Sequence, residues 1–294
     1  MTSLASRSTP PASGSMAVFD YESKTWGGHR VEQSPTYLGA LRLGYCLEDL
    51  KRVQRKVLEV GCGAGGMAKA IKAYRQDLQV YGCDISEHAI QVARQTASEV
   101  DFELGNAYDL PYEDNSFQAV VMFDVLEHLD DPLQAISEIR RVLQDDGLFH
   151  LFVPCEGELH SLHGILARAG WRAKERYGGH IQRFTLRRLK ELLSDSGFCQ
   201  VRSRWSCHLI NQAVDVCYFT GLSLRGRNTT MSVEGFLDSA DHSFVRSVVS
   251  ALKALIAALS YYESRFLDRL PGSGAHLAGV KSGKPPAEKA AGAC

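Results

Sequence analysis

Eight consecutive residues, Glu59-Val60-Gly61-Cys62-Gly63-Ala64-Gly65-Gly66, constrain this chain more than any others. They join the apolar run Lys56–Val60, which reads as a buried strand, to a helical pattern over residues 66–75. A strand that passes through glycines straight into a helix removes side chains where a ligand can touch backbone and the helix amino end. Gly61, Gly63 and Gly66 fit the spacing G-x-G-x-x-G, and Asp84 closes the next strand, Val80-Tyr81-Gly82-Cys83-Asp84, where a ribose-binding acid is expected. From these residues alone the turn suits a dinucleotide or an adenosyl cofactor equally, and a tight turn made only for packing is the bland alternative. Asp84 has its own bland alternative, capping the helix that follows. Ser86 already supplies a cap there, so ribose binding is the better reading.

The rest of the pattern alternates short apolar runs with helical stretches. Strand-like runs lie at 78–83, 117–123 and 147–153. Helical candidates lie at 36–50, 86–98 and 132–143, the last with Pro132 in its first turn. Such alternation means βαβ units, a parallel sheet and right-handed crossovers. Residues 154–184 carry five glycines and three histidines and suit a lid over the carboxyl edge of the sheet. Thr185 caps a helix that Gly197 closes, 198–205 resumes as a strand, and 274–280 returns a last strand to the sheet edge beside it. Within 207–271, Val245, Val248, Leu252, Leu255, Leu259, Tyr262 and Phe266 recur three and four apart, predicting one long helix with an apolar seam.

Charge and cysteine content remove several function classes. Lys and Arg number 33 against 34 Asp and Glu, a net charge of -1, so no field draws the chain to nucleic acid or anionic lipid. The eight cysteines are scattered without a C-x-x-C pair, which predicts a reducing compartment and no zinc site. No apolar run is long enough to span a bilayer, and the Ser-, Thr- and Pro-rich opening lacks a secretory h-region. A cytoplasmic protein is expected.

Four blocks together resemble the class I S-adenosylmethionine-dependent methyltransferases, within the group similar to ubiquinone and menaquinone biosynthesis methylases. They are the glycine turn with Glu59 two residues before the first glycine; Asp84; Gly105-Asn106-Ala107-Tyr108-Asp109-Leu110-Pro111-Tyr112 followed by 115–120; and Arg141-Val142-Leu143-Gln144-Asp145-Asp146-Gly147. The resemblance spans 57–201. It implies a Rossmann-like, doubly wound, mostly parallel seven-stranded sheet with helices on both faces, plus a helical lid and insertion. It also implies S-adenosyl-L-methionine as cofactor, with Glu59, Gly61, Cys62, Gly63, Gly65, Asp84, Ile85, Asn106, Ala107, Phe123 and Asp124 lining its site. Family members often carry an acid where this chain has Asn106. An amide keeps a hydrogen bond to adenine but loses its charge-assisted part.

Transfer of a methyl group from a sulfonium is an in-line displacement, so positioning and exclusion of water come first. A base is needed only where the acceptor must lose a proton. Glu127 and His128 stand at the carboxyl end of the fourth strand, where ligand sites gather, and His180 opens the segment before the helix at 185. These three are the candidate catalytic residues, with structural or cofactor contact as the alternative for each. A similar acid-x-x-Glu-His run is linked to a divalent metal in some quinone O-methylases, which would enlist Asp124 as well; the expectation here is no metal. The segment before the helix at 185 admits two readings, His180 facing the acceptor or Arg183 pairing with a carboxylate to pin the lid, and Tyr21 or Trp26 either walls the pocket or serves plain packing.

The expected division is a tail at 1–18, a cap segment at 19–55, a cofactor domain at 56–206 and 272–281 with its lid at 154–184, a helical insertion at 207–271, and a tail at 282–294. The expected activity is methyl transfer to a small-molecule, hydrophobic acceptor, with a homodimer formed through the helix at 243–269. An NAD-dependent oxidoreductase and a non-catalytic adenosylmethionine-binding module are the alternatives, and no nucleic-acid partner is expected.

Overall fold

The apolar runs pair into one sheet. A computed structural model describes residues 26–28, 30–225 and 243–283; the expected tail at 1–18, the expected tail at 282–294 from 284 onward, and Tyr21 lie outside them. The strands are β1 Lys56–Val60, β2 Gln79–Asp84, β3 Asp101–Leu104, β4 Phe117–Phe123, β5 Leu143–Pro154, β6 Phe198–Ser206 and β7 Gly274–Lys281. Their order is β3-β2-β1-β4-β5-β7-β6; β3 through β5 run parallel, and β7 runs antiparallel to both its neighbours. The expected α/β fold class holds.

One strand sits elsewhere than expected. β7 does not return to the edge but enters between β5 and β6, leaving β6 outermost. The side chains explain the choice. β7 is buried along nearly its whole length, as its Gly-Ala-His-Leu-Ala-Gly-Val run allows, whereas β6 exposes Gln200 and Arg202 and so makes a charged edge that resists further pairing.

Helices cover both faces because the period-two alternation of the central strands makes each face apolar. On one face, Leu58, Val60, Val120 and Met122 pack with Ile136 and Ile139 of α4 (Pro132–Val142) and Leu189 and Leu193 of α7 (Leu186–Asp195). On the other, Val57, Val80, Val121 and Phe152 meet Leu43 of α1 (Ala40–Asp49), Ile71 of α2 (Gly66–Tyr74) and Ile90 of α3 (Glu87–Thr96). Two caps are those the sequence names, the Ser86 hydroxyl accepting from the Ala89 amide and the Thr185 hydroxyl from Arg188, and at a third helix the Asp131 carboxylate accepts from Gln134.

The lid region forms α5 (Leu162–Arg168) and α6 (Ala173–Gly178), and the insertion forms α8 (Leu209–Arg225) and α9 (Ser243–Phe266). Among the described residues no helix is long and apolar enough to cross a membrane.

Beneath α1 the core holds an imidazole that nothing satisfies. His276 of β7 is buried, both its nitrogens lack a partner, and its ring lies 4.6 Å from Phe152 and 4.9 Å from Tyr45. Burial, with the neighbouring His150 second, drives its pKa well below the ordinary 6.5. A depressed folded pKa means that the neutral ring contributes stability above pH 6.5 that is lost as the pH falls. His276→Leu is therefore expected to cost nothing at pH 7.5 or to stabilise by about 1 kcal/mol, and to hold its advantage further as the pH drops toward 5. Thermal unfolding at the two pH values reads this directly.

Candidate active site

The glycine turn is tied into the sheet by its own amides. Gly61 and Cys62 both donate to the Cys83 carbonyl, at 2.8 and 3.0 Å, and Gly63 donates to Asp84 Oδ2 at 2.7 Å. Gly61, Gly63 and Gly65 all have positive φ. At Gly61 a Cβ would sit 2.2 Å from Val125 Cγ2, so only glycine admits this packing. The helix amino end is not open as the sequence suggested. Ala64 and Gly66 donate to the carbonyls of Trp26 and Gly27, each at 2.8 Å, so a strap from the amino-terminal segment lies across the turn. Trp26 thus lies beside the turn and meets it through its backbone.

Asp84 stands at the end of β2, partly buried. Its Oδ1 accepts the Ser86 amide at 3.0 Å and its Oδ2 the Gly63 amide. Each carboxylate oxygen keeps a further lone pair, the chemistry a pair of ribose hydroxyls requires. Next to it Ile85 is 59% exposed, an apolar side chain presented at the mouth where a flat base needs a wall. Asn106 spends its Oδ1 on the Tyr108 amide at 3.0 Å, which shapes the following loop and leaves its NH₂ to a ligand. Ala107 packs partly buried beside it. These residues fit an adenosyl group.

Not every expected contact faces the mouth. The Cys62 side chain is core, so only its backbone borders the turn. Glu59 is buried beneath the turn, where it takes the Ala68 amide of α2, and burial first, with Asp84 adding, raises its carboxyl to about 8. Phe123 is buried at the end of β4, and Asp124 follows in a left-handed conformation, φ 51°, paired with Arg42 of α1. Arg42 lies 4.1 Å over the Phe152 ring and also lines a cavity of about 50 Å³ with Leu41, Cys207, Ala257 and Tyr261.

The three candidate catalytic residues do come together. Glu127 is fully buried and neither of its carboxyl oxygens has a hydrogen-bond partner. One oxygen lies 3.9 Å from His128 Nε2. The rings of His128 and His180 meet edge to face at 4.9 Å. His128 Nδ1 donates to the Gly179 carbonyl at 2.9 Å, which fixes its tautomer and leaves the lone pair on Nε2. The Glu127 carbonyl accepts from Ile181 and Gln182, both at 3.0 Å, and so holds the lid to the end of β4. Glu127, His128 and His180 each offer an atom within 4.8 Å of the others, and among the described residues they are the group that could hold a metal ion. His160 and His163 do not join them: His160 is exposed, and His163 is buried 3.8 Å from Asp215.

A second group was missed. Glu156, just past β5, is buried with Oε1 2.8 Å from Lys174 Nζ and 3.0 Å from His180 Nδ1, and Lys174 also reaches Asp215 at 3.1 Å. Arg183 pairs with Glu175 of α6, a carboxylate of the same segment. The position of Glu156 at the carboxyl end of a strand was the available signal. Lys174 and Asp215 lie in different helices, 41 residues apart, and nothing local links them.

These neighbours set the charges. Burial alone would lower His180, but Glu156 outweighs it and raises the imidazole. Burial alone would raise Glu156, but Lys174 and His180 hold it far below the carboxylate range. Burial, with Asp124 adding, raises Glu127 to about 8 against the pull of His180. Burial and the charge on His180 lower His128 to about 4.

Comparison with known proteins agrees with this geometry. Residues 58–151 match the model of a methyltransferase domain family. Ajmaline N-methyltransferase of Rauvolfia serpentina is 35% identical over 40% of this chain and 42% of its own length. A ubiquinone biosynthesis O-methyltransferase of Alkalilimnicola ehrlichii is 32% identical over 45% and 56%. The chain thus spans about half the length of the curated relatives it matches. Among solved structures, YcgJ from Bacillus subtilis superposes with a TM-score of 0.54 at 19% identity, over 82% of this chain and 98% of that one. The [4+2]-cyclase SpnF reaches 0.52 at 21%, over 87% and 84%, so the same fold also serves other chemistry.

Removing Lys174 tests the buried charges. Lys174→Met is expected to cost about 3 to 5 kcal/mol, because it strands the Glu156 carboxylate beside a single imidazole. Lys174→Met combined with Glu156→Gln is expected to recover much of that loss, as read by denaturant unfolding of both variants.

The chain carries a domain of the class I S-adenosylmethionine-dependent methyltransferase family.

Proposed function

We propose that this protein transfers a methyl group from S-adenosyl-L-methionine to a small-molecule acceptor. The observation that carries the reading is the Asp84 carboxylate, anchored by the Gly63 and Ser86 amides at the end of β2 with lone pairs to spare. The antiparallel β7 between β5 and β6 argues against the NAD-dependent alternative, whose doubly wound sheets continue in parallel order.

When bound, the cofactor supplies an electrophilic methyl on a sulfonium. Asp84 accepts from the ribose hydroxyls, Ile85 and Ala107 border the base, and Asn106 donates to it. Gly61, Gly63 and Gly65 keep the turn thin. Glu59 serves from beneath by fixing the turn to α2. Phe123 and Asp124 border the acceptor side with Arg42.

The acceptor sits between Asp124 and the lid. Leu41, Ala257 and Tyr261 give the nearby cavity apolar wall, supporting an acceptor with a hydrophobic part. Where the acceptor must lose a proton, Glu127 takes it, with His128 and His180 sharing the buried charge. Glu127 is neutral near pH 7 and becomes a carboxylate as the pH rises through about 8. Methyl transfer that depends on it therefore rises on the alkaline side. Glu127→Gln is expected to flatten that rise and to lower kcat by about 100-fold or more.

We assign the cofactor domain to residues 56–206 and 272–281, with 207–271 inserted. The partner is a second copy of the chain, through the helix at 243–269. The free, buried Cys46, Cys62, Cys83 and Cys155 support a reducing, cytoplasmic setting.

Asp84→Ala is expected to weaken S-adenosylhomocysteine binding by about 1.5 to 3 kcal/mol through the lost charge-assisted bonds. Calorimetry on a variant whose circular dichroism matches wild type measures it, and unchanged affinity would remove Asp84 from the site. Cofactor binding without label transfer to any acceptor in a panel of phenols, amines and hydroxylated apolar compounds would favour the non-catalytic module.

A further inference from the structure

α9 is built inside out. The side that packs on the protein carries Ala257, Ser260 and Ser264, at 3, 6 and 1% exposure. The opposite side carries Val248, Leu252, Leu255, Leu259, Tyr262 and Phe266, all between 49 and 88% exposed. At 100° per residue these six fall within about 80° of arc, centred opposite Ala257. A helix needed only to complete the monomer turns its large apolar residues inward and its serines to water. Here the arrangement is reversed, and the seam faces away from the body of the protein.

The spacing of the seam is four, three, four, three, four, the a and d rhythm of a helix that packs against another helix. It is narrower than the broad face with which a helix lies on lipid. One edge of the seam is small, at Ala251 and Ala258, which lets a second backbone approach on that side, while Ile256 and Glu263 border the other. The exposed area of the six residues is on the order of 700 Å², near the roughly 800 Å² each partner contributes to a stable interface.

We infer that two copies of this chain pair through α9 in antiparallel orientation, about a two-fold axis level with Ala257; this rests on the reading that the 243–269 helix meets a second copy. The residue sizes choose the orientation. About that axis Val248 faces Phe266 of the second copy, Leu252 faces Tyr262, and Leu255 faces Leu259. Large side chains thus meet smaller ones, and the contact is self-complementary. A parallel pair would set Phe266 against Phe266 and Tyr262 against Tyr262 while leaving Val248 against itself. The inner side of the same helix walls the cavity beside Arg42 with Ala257, Ser260 and Ser264, so pairing braces one wall of the acceptor side.

Light scattering on the full 294-residue chain tests the pairing. Wild type is expected at twice the chain mass of 32.4 kDa. Leu255→Glu with Leu259→Glu is expected at the single mass, with S-adenosylmethionine affinity within twofold of wild type. For orientation, Val248→Cys and Phe266→Cys are made in a chain whose Cys199, Cys217 and Cys294 are replaced by serine. Oxidation of their mixture is expected to give abundant cross-linked dimer and each variant alone at least tenfold less. Cross-linking of Val248→Cys with itself would overturn the antiparallel assignment. A monomeric wild type would overturn the pairing, whether the seam then proves to be covered by residues 226–242 or to sediment with vesicles of equal parts phosphatidylcholine and phosphatidylglycerol. A monomer that binds S-adenosylmethionine would sink the pairing alone, and a dimer that does not bind it would sink the methyltransferase reading alone.

Discussion

Three amides hold the working edge of this protein together. Gly61 and Cys62 converge on the Cys83 carbonyl and Gly63 on the Asp84 carboxylate, locking the turn after β1 to the end of β2. The remaining parts of the site are referenced to that lock. The absence of a side chain on Gly61 lets Val125 press against the turn, which positions the segment after β4 that carries Glu127 and His128. The Glu127 carbonyl in turn holds Ile181 and Gln182, and with them the lid. A disturbance at Gly61 would pass along this series of contacts to Glu127 and the segment at Ile181 and Gln182.

The segment between β5 and α7 is organised by buried charge rather than by apolar packing. Glu156, Lys174, Asp215 and His180 come from the end of β5, from α6, from α8 and from the segment before α7. Such a network is costly to desolvate, and it repays the cost only when each charge has its partner in place. Its geometry therefore ties the segment between β5 and α7 to α8. Glu127 stands apart, buried without a hydrogen bond, which is an energetic cost that a folding role alone does not explain. An acceptor group that donates a hydrogen bond would satisfy it.

Short-range features were legible in the sequence and long-range ones were not. The glycine turn, Asp84, and the caps Ser86 and Thr185 each involve residues within a few positions of one another, so local spacing reveals them. The strand β7 was legible, but its antiparallel direction and its place inside the sheet were not, since the latter depends on a comparison of its burial with that of β6. Arg42 with Asp124 joins residues 82 apart, and Lys174 with Asp215 joins residues 41 apart, with no pattern between them. The seam of α9 was legible as a period. A period carries no direction, and only the packing of Ala257, Ser260 and Ser264 shows which way it faces.

The account stands on an adenosyl cofactor at the end of β2. Parallel calorimetric titration of the full chain with S-adenosylmethionine, S-adenosylhomocysteine and NAD measures that most directly. The account predicts micromolar-range binding of both adenosyl compounds, on the order of 8 kcal/mol, and no detectable heat with NAD. Binding of NAD with no response to either adenosyl compound would contradict it.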